Sequence, residues 1–368
     1  MTDPAETDRY ILYGAELSLY TGKVRAYLRY KGIDFEERLA DLKTVKQVLY
    51  PKVRRKMVPI VVTPDEEYLQ DSTHIIDRLE EVFTDAPVRP STPRQRLVSL
   101  LFEHFGDEWL LLPAMHYRWR YDWKFIVREM SDMLVPGKPL YRQLPKTLPV
   151  IAYFGIGARR AIGVSKITAP AIESWYEEFL AQFDRHLEHY PFLLGSRPSI
   201  GDYGLMGPLY AHLYRDPNSG TLMKELAPRV ADWVERMNDP QPNSGDFLEG
   251  DEVPQTLFPI LERLFDEQFP VLLDTVRRVA EWIDKNPGER MPRMIGRHTF
   301  TIGEAQGRRI VLPYNQWMLQ RTVDFYRSLS GADKISVDTL LDEVGGRQGM
   351  QVQFARRVER VKNRVIPA

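Results

Sequence analysis

The chain contains no cysteine in 368 residues. This excludes disulfides, thiolate metal sites and any reaction in which a protein thiol is the nucleophile, so any sulfur chemistry must come with the ligand. Net charge is also nearly absent, because 50 Lys and Arg face 51 Asp and Glu, leaving −1. A nucleic-acid partner or an anionic membrane surface is therefore not expected. Long apolar runs are missing too. Trp109-Leu110-Leu111-Leu112 falls far short of the roughly 20 residues that span a bilayer. The opening Met1 to Asp8 is polar and acidic and lacks the basic lead and apolar core of a secretory signal. The cytoplasm is the expected location. His186-x-x-His189 has no evident third ligand, and no metal is expected. Gly155-Ile156-Gly157 begins like a dinucleotide loop, but Arg160 stands where the third glycine belongs.

What is present describes a folded protein of two or three domains, 43% hydrophobic and 27% charged. Residues 9–83 alternate between strand and helix patterns. Ile11 to Tyr13 reads as a buried strand, and Lys23 to Lys31 as a helix stopped by Gly32. Phe35 to Ala40, Val58 to Val62 and Tyr68-Leu69 read as further strands. Ser72 opens a helix with Ile75, Ile76, Leu79, Val82 and Phe83 on one stripe. This order predicts a small thioredoxin-like sheet layered with helices. The Pro-rich stretch 84–93 predicts a boundary, followed by an all-helical region. Helices are expected near 94–111, 170–189, 202–214 and 227–238, then 254–285 with bends at Pro259 and Pro270, then 314–329 and 335–343. His298 to Ile302 and Arg308 to Leu312 are expected to pair as a hairpin within 298–312. The division is 1–86, 92–250 and a mostly helical extension, 251–368.

Several residues carry chemistry. Ser18 sits where the first strand meets the first helix, where a hydroxyl either caps the helix or supports an anion held at its positive end. Val58-Pro59 opens a strand with a residue that cannot donate to a ladder, leaving an edge suited to an extended peptide. Asp71-Ser72 begins a helix, either as a simple cap or as a seat for a carboxylate. Lys52-Val53-Arg54-Arg55-Lys56 is a solvated loop or a counter-charge to an anion; Arg55 and Lys56 are the preferred candidates. Ser199-Ile200-Gly201-Asp202 reads as a capping box with a folding role. The aromatic stretch 103–125 reads as interhelical core, a dimer seam or a pocket wall. The run Ile310 to Gln320 reads as packing, a lid, a dimer arm or a pocket wall.

Taken together, Leu12-Tyr13-Gly14, Ser18-Leu19-Tyr20-Thr21-Gly22, Val58-Pro59, Gln70-Asp71-Ser72 and Pro198 to Tyr203 resemble the cytosolic glutathione transferase superfamily over about residues 9–250. Within it they resemble the serine- or cysteine-type members. The resemblance implies a thioredoxin-like domain followed by an all-helical one. It implies glutathione as co-substrate, a small hydrophobic electrophile, a homodimer and a transferase activity of the detoxification kind. Ser18 then acts on the thiol, with Tyr13 and Thr21 as alternatives. Val58, joined to Pro59 by a cis bond, meets the peptide backbone, and Asp71-Ser72 receives the γ-glutamyl end. Arg55 and Lys56 answer the glycine carboxylate, and Tyr117 and Trp119 line the electrophile pocket. Leu19 departs from a common proline, Met57 from a common lysine and Asp71 from the commoner glutamate. The resemblance also allows a non-catalytic interaction protein, or a glutathione-dependent isomerase, dehalogenase or peroxidase.

Overall fold

The computed structural model describes residues 9–368, and the acidic opening Met1–Asp8 lies outside them. Four strands, β1 (Tyr10–Gly14), β2 (Phe35–Leu39), β3 (Ile60–Val62) and β4 (Tyr68–Gln70), form a sheet in the order β2-β1-β3-β4. β1 runs parallel to β2 and antiparallel to β3, and β4 returns antiparallel to β3. Side chains alternate across the sheet as a period of two requires. Leu12, Val61 and Leu69 enter the large core with helix α1 (Leu19–Tyr30) and the helix Ser72–Val82. Ile11, Tyr13, Ile60 and Val62 pack on the opposite face with Leu49 and Val53. Gly32, at φ +64°, follows α1 as its left-handed stop.

After the linker, the helix Pro93–Glu108 starts with proline in its first turn. It crosses the helix Ile200–Pro208 backbone to backbone: a Cβ on Gly106 would lie 2.3 Å from the carbonyl oxygen of Gly204. The capping role read for Ser199 and Asp202 is present. Asp202 accepts the Ser199 N–H at 2.8 Å and the Leu193 N–H at 3.0 Å. The helices Ala169–Leu187 and Pro228–Asn238 complete this region's main packing.

The segment expected as one bent helix is Phe258–Arg263 and Phe269–Lys285, joined through a wider-coiled turn at Leu264–Gln268. The expected hairpin exists as β5 (Arg297–Ile302) and β6 (Ala305–Ile310), so its second strand starts three residues earlier than Arg308. The turn is tight because Gly303 adopts φ +52° and Ile302 pairs with Ala305. Gly307 therefore lies in the strand, where a Cβ would stand 2.6 Å from the Phe300 ring. The helices Pro313–Ser328 and Gly331–Glu343 follow, and then an unexpected hairpin, β7 (Val358–Val361) and β8 (Arg364–Pro367). Its turn, Lys362-Asn363, has φ values of 45° and 62°, the backbone a two-residue hairpin demands.

The extension is not an appendage. Leu257, Ile260, Phe300, Leu319 and Leu340 share one continuous apolar core with Leu12, Phe105 and Tyr203. A buried polar hub joins the same three parts. Lys23 Nζ of α1 donates to Asp107 at 2.6 Å, Glu103 at 3.0 Å and Thr73 at 3.3 Å. Arg321 of the extension then bonds Glu103 at 3.0 Å and Asp77 at 2.9 Å. Burial works against Lys23's charge, but Asp107 and Glu103 outweigh it and hold the ammonium above its usual range. No helix among the described residues is long and apolar enough to cross a membrane.

Candidate functional site

A cavity of about 480 Å³ opens where the three parts meet. The thioredoxin-like part supplies Arg55, Met57, Val58 and Pro59 from the approach to β3 and, beside them, Gln70, Asp71 and Ser72 from the end of β4. The start of α1 contributes Tyr20, and the end of the helix Pro93–Glu108 contributes Asp107 and Glu108. The extension closes the remaining side with Arg290, Arg293, Tyr314, Arg360 and Arg364. A second hollow, over Pro217, Asn218, Thr221, Leu222 and Glu225, is open to solvent and has one ionisable group.

The Val58–Pro59 bond is cis. Val58 lies ahead of the paired residues of β3, and its backbone N–H and C=O have no partner among the described residues. Such an edge offers a donor and an acceptor to an extended peptide. Beside this edge, at the end of β4, Asp71 caps the helix Ser72–Val82, accepting the His74 N–H at 3.3 Å from a backbone with φ 86°. The Tyr314 hydroxyl donates to the same carboxylate oxygen at 3.2 Å. Ser72 is buried at the helix start.

Charge is separated within the cavity. On the acidic side, burial pushes the Glu108 carboxyl up to about 8; Arg309 opposes the shift and Asp107 adds to it. Burial also raises Asp107, against Lys23, and Asp107 Oδ1 is buried without a hydrogen-bond partner among the described residues. On the basic side, burial lowers Arg55, and Arg364, Arg293, Arg290 and Arg360 lower it further by repulsion. Arg55 Nε donates to the Asn363 carbonyl at 2.7 Å, and Arg360 bonds the Gln70 side chain at 3.1 Å. Asn363 also reaches the Val53 carbonyl at 3.2 Å. The turn of the last hairpin is thereby fastened to the thioredoxin-like part.

Of the residues singled out in the sequence, Arg55, Val58, Pro59, Asp71 and Ser72 come together on this cavity. The others lie elsewhere. Ser18 caps α1, its oxygen accepting the Thr21 N–H at 3.3 Å, and is not on the lining. Thr21 is buried, accepting from the Ala15 N–H. Tyr13 points into the core on the far face of the sheet, where Arg38 donates to it at 3.5 Å. Lys56 is exposed beside the Tyr50 ring. Tyr117 is buried 5.3 Å from the Tyr176 ring, and Trp119 packs against Gly155; neither lines the cavity.

Tyr20, Asp107, Glu108 and the extension arginines went unread in the sequence. Tyr20 stands two residues after Ser18, and its hydroxyl donates to the Asp107 carbonyl at 2.9 Å. Tyr314 falls in the run for which a pocket wall was one reading. Among the described residues no group of three or more His, Asp or Glu is placed to hold a metal.

Residues 12–87 match the family model described as glutathione S-transferase, N-terminal domain, and residues 170–236 match glutathione S-transferase, C-terminal domain. Both matched stretches are domains of the glutathione transferase superfamily. Neither match reaches the extension. An isoprene-epoxide–glutathione S-transferase of Rhodococcus sp. strain AD45 is 23% identical over 60% of this chain and 92% of its own. Among solved structures, a β-etherase from Sphingobium sp. strain SYK-6 is 20% identical, covering 64% of this chain and 96% of its own at a TM-score of 0.47. A glutathione S-transferase from Rhodospirillum rubrum F11 is 17% identical, over 67% of this chain and 96% of its own, at 0.43.

Proposed function

We propose that this protein is a glutathione transferase whose tripeptide lies along the Val58 edge. The γ-glutamyl carboxylate sits at the start of the Ser72 helix, with its ammonium against Asp71. The glycine carboxylate faces Arg55. One observation carries this reading: the unpaired Val58 edge and the Asp71-Ser72 helix start, neighbours through the β3–β4 pairing, line a single cavity of about 480 Å³, within the usual range for small-molecule sites. The thiol is directed toward the start of α1, where the helix end favours an anion. Glutathione's thiol has a pKa of about 8.5, as a free cysteine does, so thiolate at neutral pH requires stabilisation of about 1.4 kcal/mol per unit lowered. Three hydroxyls stand at that end: Tyr20 lines the cavity, Ser18 caps the helix beside it, and Thr21 is buried and bonded to the Ala15 N–H.

Calorimetric titration with glutathione and its S-methyl derivative tests the binding. Thiolate absorbance against pH tests the activation, in wild type, Ser18→Ala and Tyr20→Phe. A thiol pKa well below the free value, restored toward it in one variant, supports the transferase and names the hydroxyl. No binding at millimolar glutathione sinks the reading and favours a non-catalytic member.

A further inference from the structure

Glutathione by itself does not balance the charge of this cavity. The basic side gathers Arg55, Arg290, Arg293, Arg360 and Arg364. None of the five shares an ion pair with a described residue. Their hydrogen-bond acceptors are neutral: the Asn363 backbone for Arg55, and Gln70 and Asn363 for Arg360. No hydrogen bond engages the side chains of Arg290, Arg293 or Arg364 among the described residues. Of the acidic groups on the cavity, Asp107 is paired with the buried Lys23 and Asp71 bonds the helix start and Tyr314. The Glu108 carboxyl, on which Arg293 also acts, has no hydrogen bond or ion pair among the described residues and is pushed up to about 8 by burial.

In the placement above, one glutathione carboxylate is spent on the Ser72 helix start and its ammonium on Asp71. That leaves a single carboxylate, the glycine one, for five guanidinium groups. Arg55 and Arg360 are tethered beside the peptide edge and suffice for it. The remaining three, Arg290, Arg293 and Arg364, then face the cavity without an ion pair to any described residue. Guanidinium groups bind carboxylate and phosphate strongly through paired, charge-assisted hydrogen bonds, and a cleft lined by one sign of charge draws in ligands of the other.

We propose that the second substrate carries an anionic group, a carboxylate or a phosphate, and that Arg290, Arg293 and Arg364 hold it beside the glutathione sulfur. This inference rests on the glutathione reading. The electrophile expected from the sequence was small and hydrophobic; the wall supplied by the extension selects a charged one. The extension thus acts as the specificity element, set opposite a glutathione site built by the first domain.

The test compares two conjugates that differ in one charge, S-(2-carboxyethyl)glutathione and S-propylglutathione, titrated into the full chain. The carboxylated conjugate is expected to bind about tenfold tighter, equivalent to about 1.4 kcal/mol. Raising the salt should shrink that ratio, and Arg290→Gln/Arg293→Gln should bring it close to one. Both side chains are exposed, so the double variant should fold; Arg364→Gln is a second, independent variant. Inorganic phosphate should compete with the carboxylated conjugate more strongly than with the propyl one. Equal binding of both conjugates overturns the anion subsite and leaves the glutathione site standing. If neither conjugate nor glutathione binds, both readings fall.

Discussion

At the scale of single residues, the cavity is defined by groups held away from their usual protonation. Glu108 closes the helix Pro93–Glu108, where burial, and after it the neighbouring Asp107, disfavours the ionised carboxylate. Its folded pKa of about 8 lies above the ordinary value of 4.5. A carboxyl raised on folding gives its full stabilisation below the unfolded pKa and loses it as pH climbs through the folded one. Wild type should therefore weaken relative to Glu108→Gln between about pH 4.5 and 8. By pH 9 the variant is expected to be more stable by about 2 to 4 kcal/mol, with little difference at pH 4. Urea unfolding at the two pH values measures this; a gap that does not widen with pH would refute a buried, protonated Glu108. At neutral pH the same group is a protonated acid facing the proposed substrate.

At the scale of elements, the terminal hairpin decides whether the proposed glutathione site is a cleft or a walled cavity. Its turn works because Asn363 tolerates φ 62° while its side chain and carbonyl reach Val53 and Arg55. Asparagine is among the few non-glycine residues that adopt this backbone readily. Asn363→Gly should keep the turn but lose the side-chain tie to Val53. Asn363→Val should lose both and cost about 1 to 2 kcal/mol or more. Hydrogen exchange of β7 and β8 is expected to rise modestly in the first variant and strongly in the second, with glutathione affinity falling in the same order. Equal exchange in both variants would show that the backbone requirement is not what holds the hairpin.

At the scale of the whole molecule, three parts of different sequence character share one core and one buried ionic hub. Lys23 is fully buried among Asp107, Glu103 and Thr73, and Arg321 links that cluster to the extension. Removing one partner strands the others in a low-dielectric interior, a loss of about 3 to 5 kcal/mol. Lys23→Met should therefore lower the stability of the entire chain. Fluorescence of Trp109, Trp233 and Trp317 and far-UV ellipticity should still fall in one coincident transition. An extension that melts separately from the rest, in wild type or variant, would contradict a shared core.

The sequence by itself settled what short-range chemistry dictates. The apolar runs Ile11 to Tyr13 and Ile60 to Val62 specified strands, the second starting two residues later than expected, Gly32 a helix stop, and Ser199 with Asp202 a capped core helix, because each depends on a few adjacent residues. It also marked Arg55, Val58, Pro59, Asp71 and Ser72, since strand edges and helix starts leave backbone groups unsatisfied wherever they occur. It misplaced the second strand of the 298–312 hairpin, where the tight turn at Gly303 outranked the turn expected between Gly303 and Gly307. The hairpin 358–367 was illegible, being four-residue strands of mixed charge with no apolar alternation of their own. Tertiary structure alone decided that Arg290, Arg293, Arg360 and Arg364 stand beside Arg55. Charges that distant in sequence meet only when the apolar faces of the extension are buried against the first two parts. That packing turns an unpaired strand edge into a cavity with an acidic and a basic side.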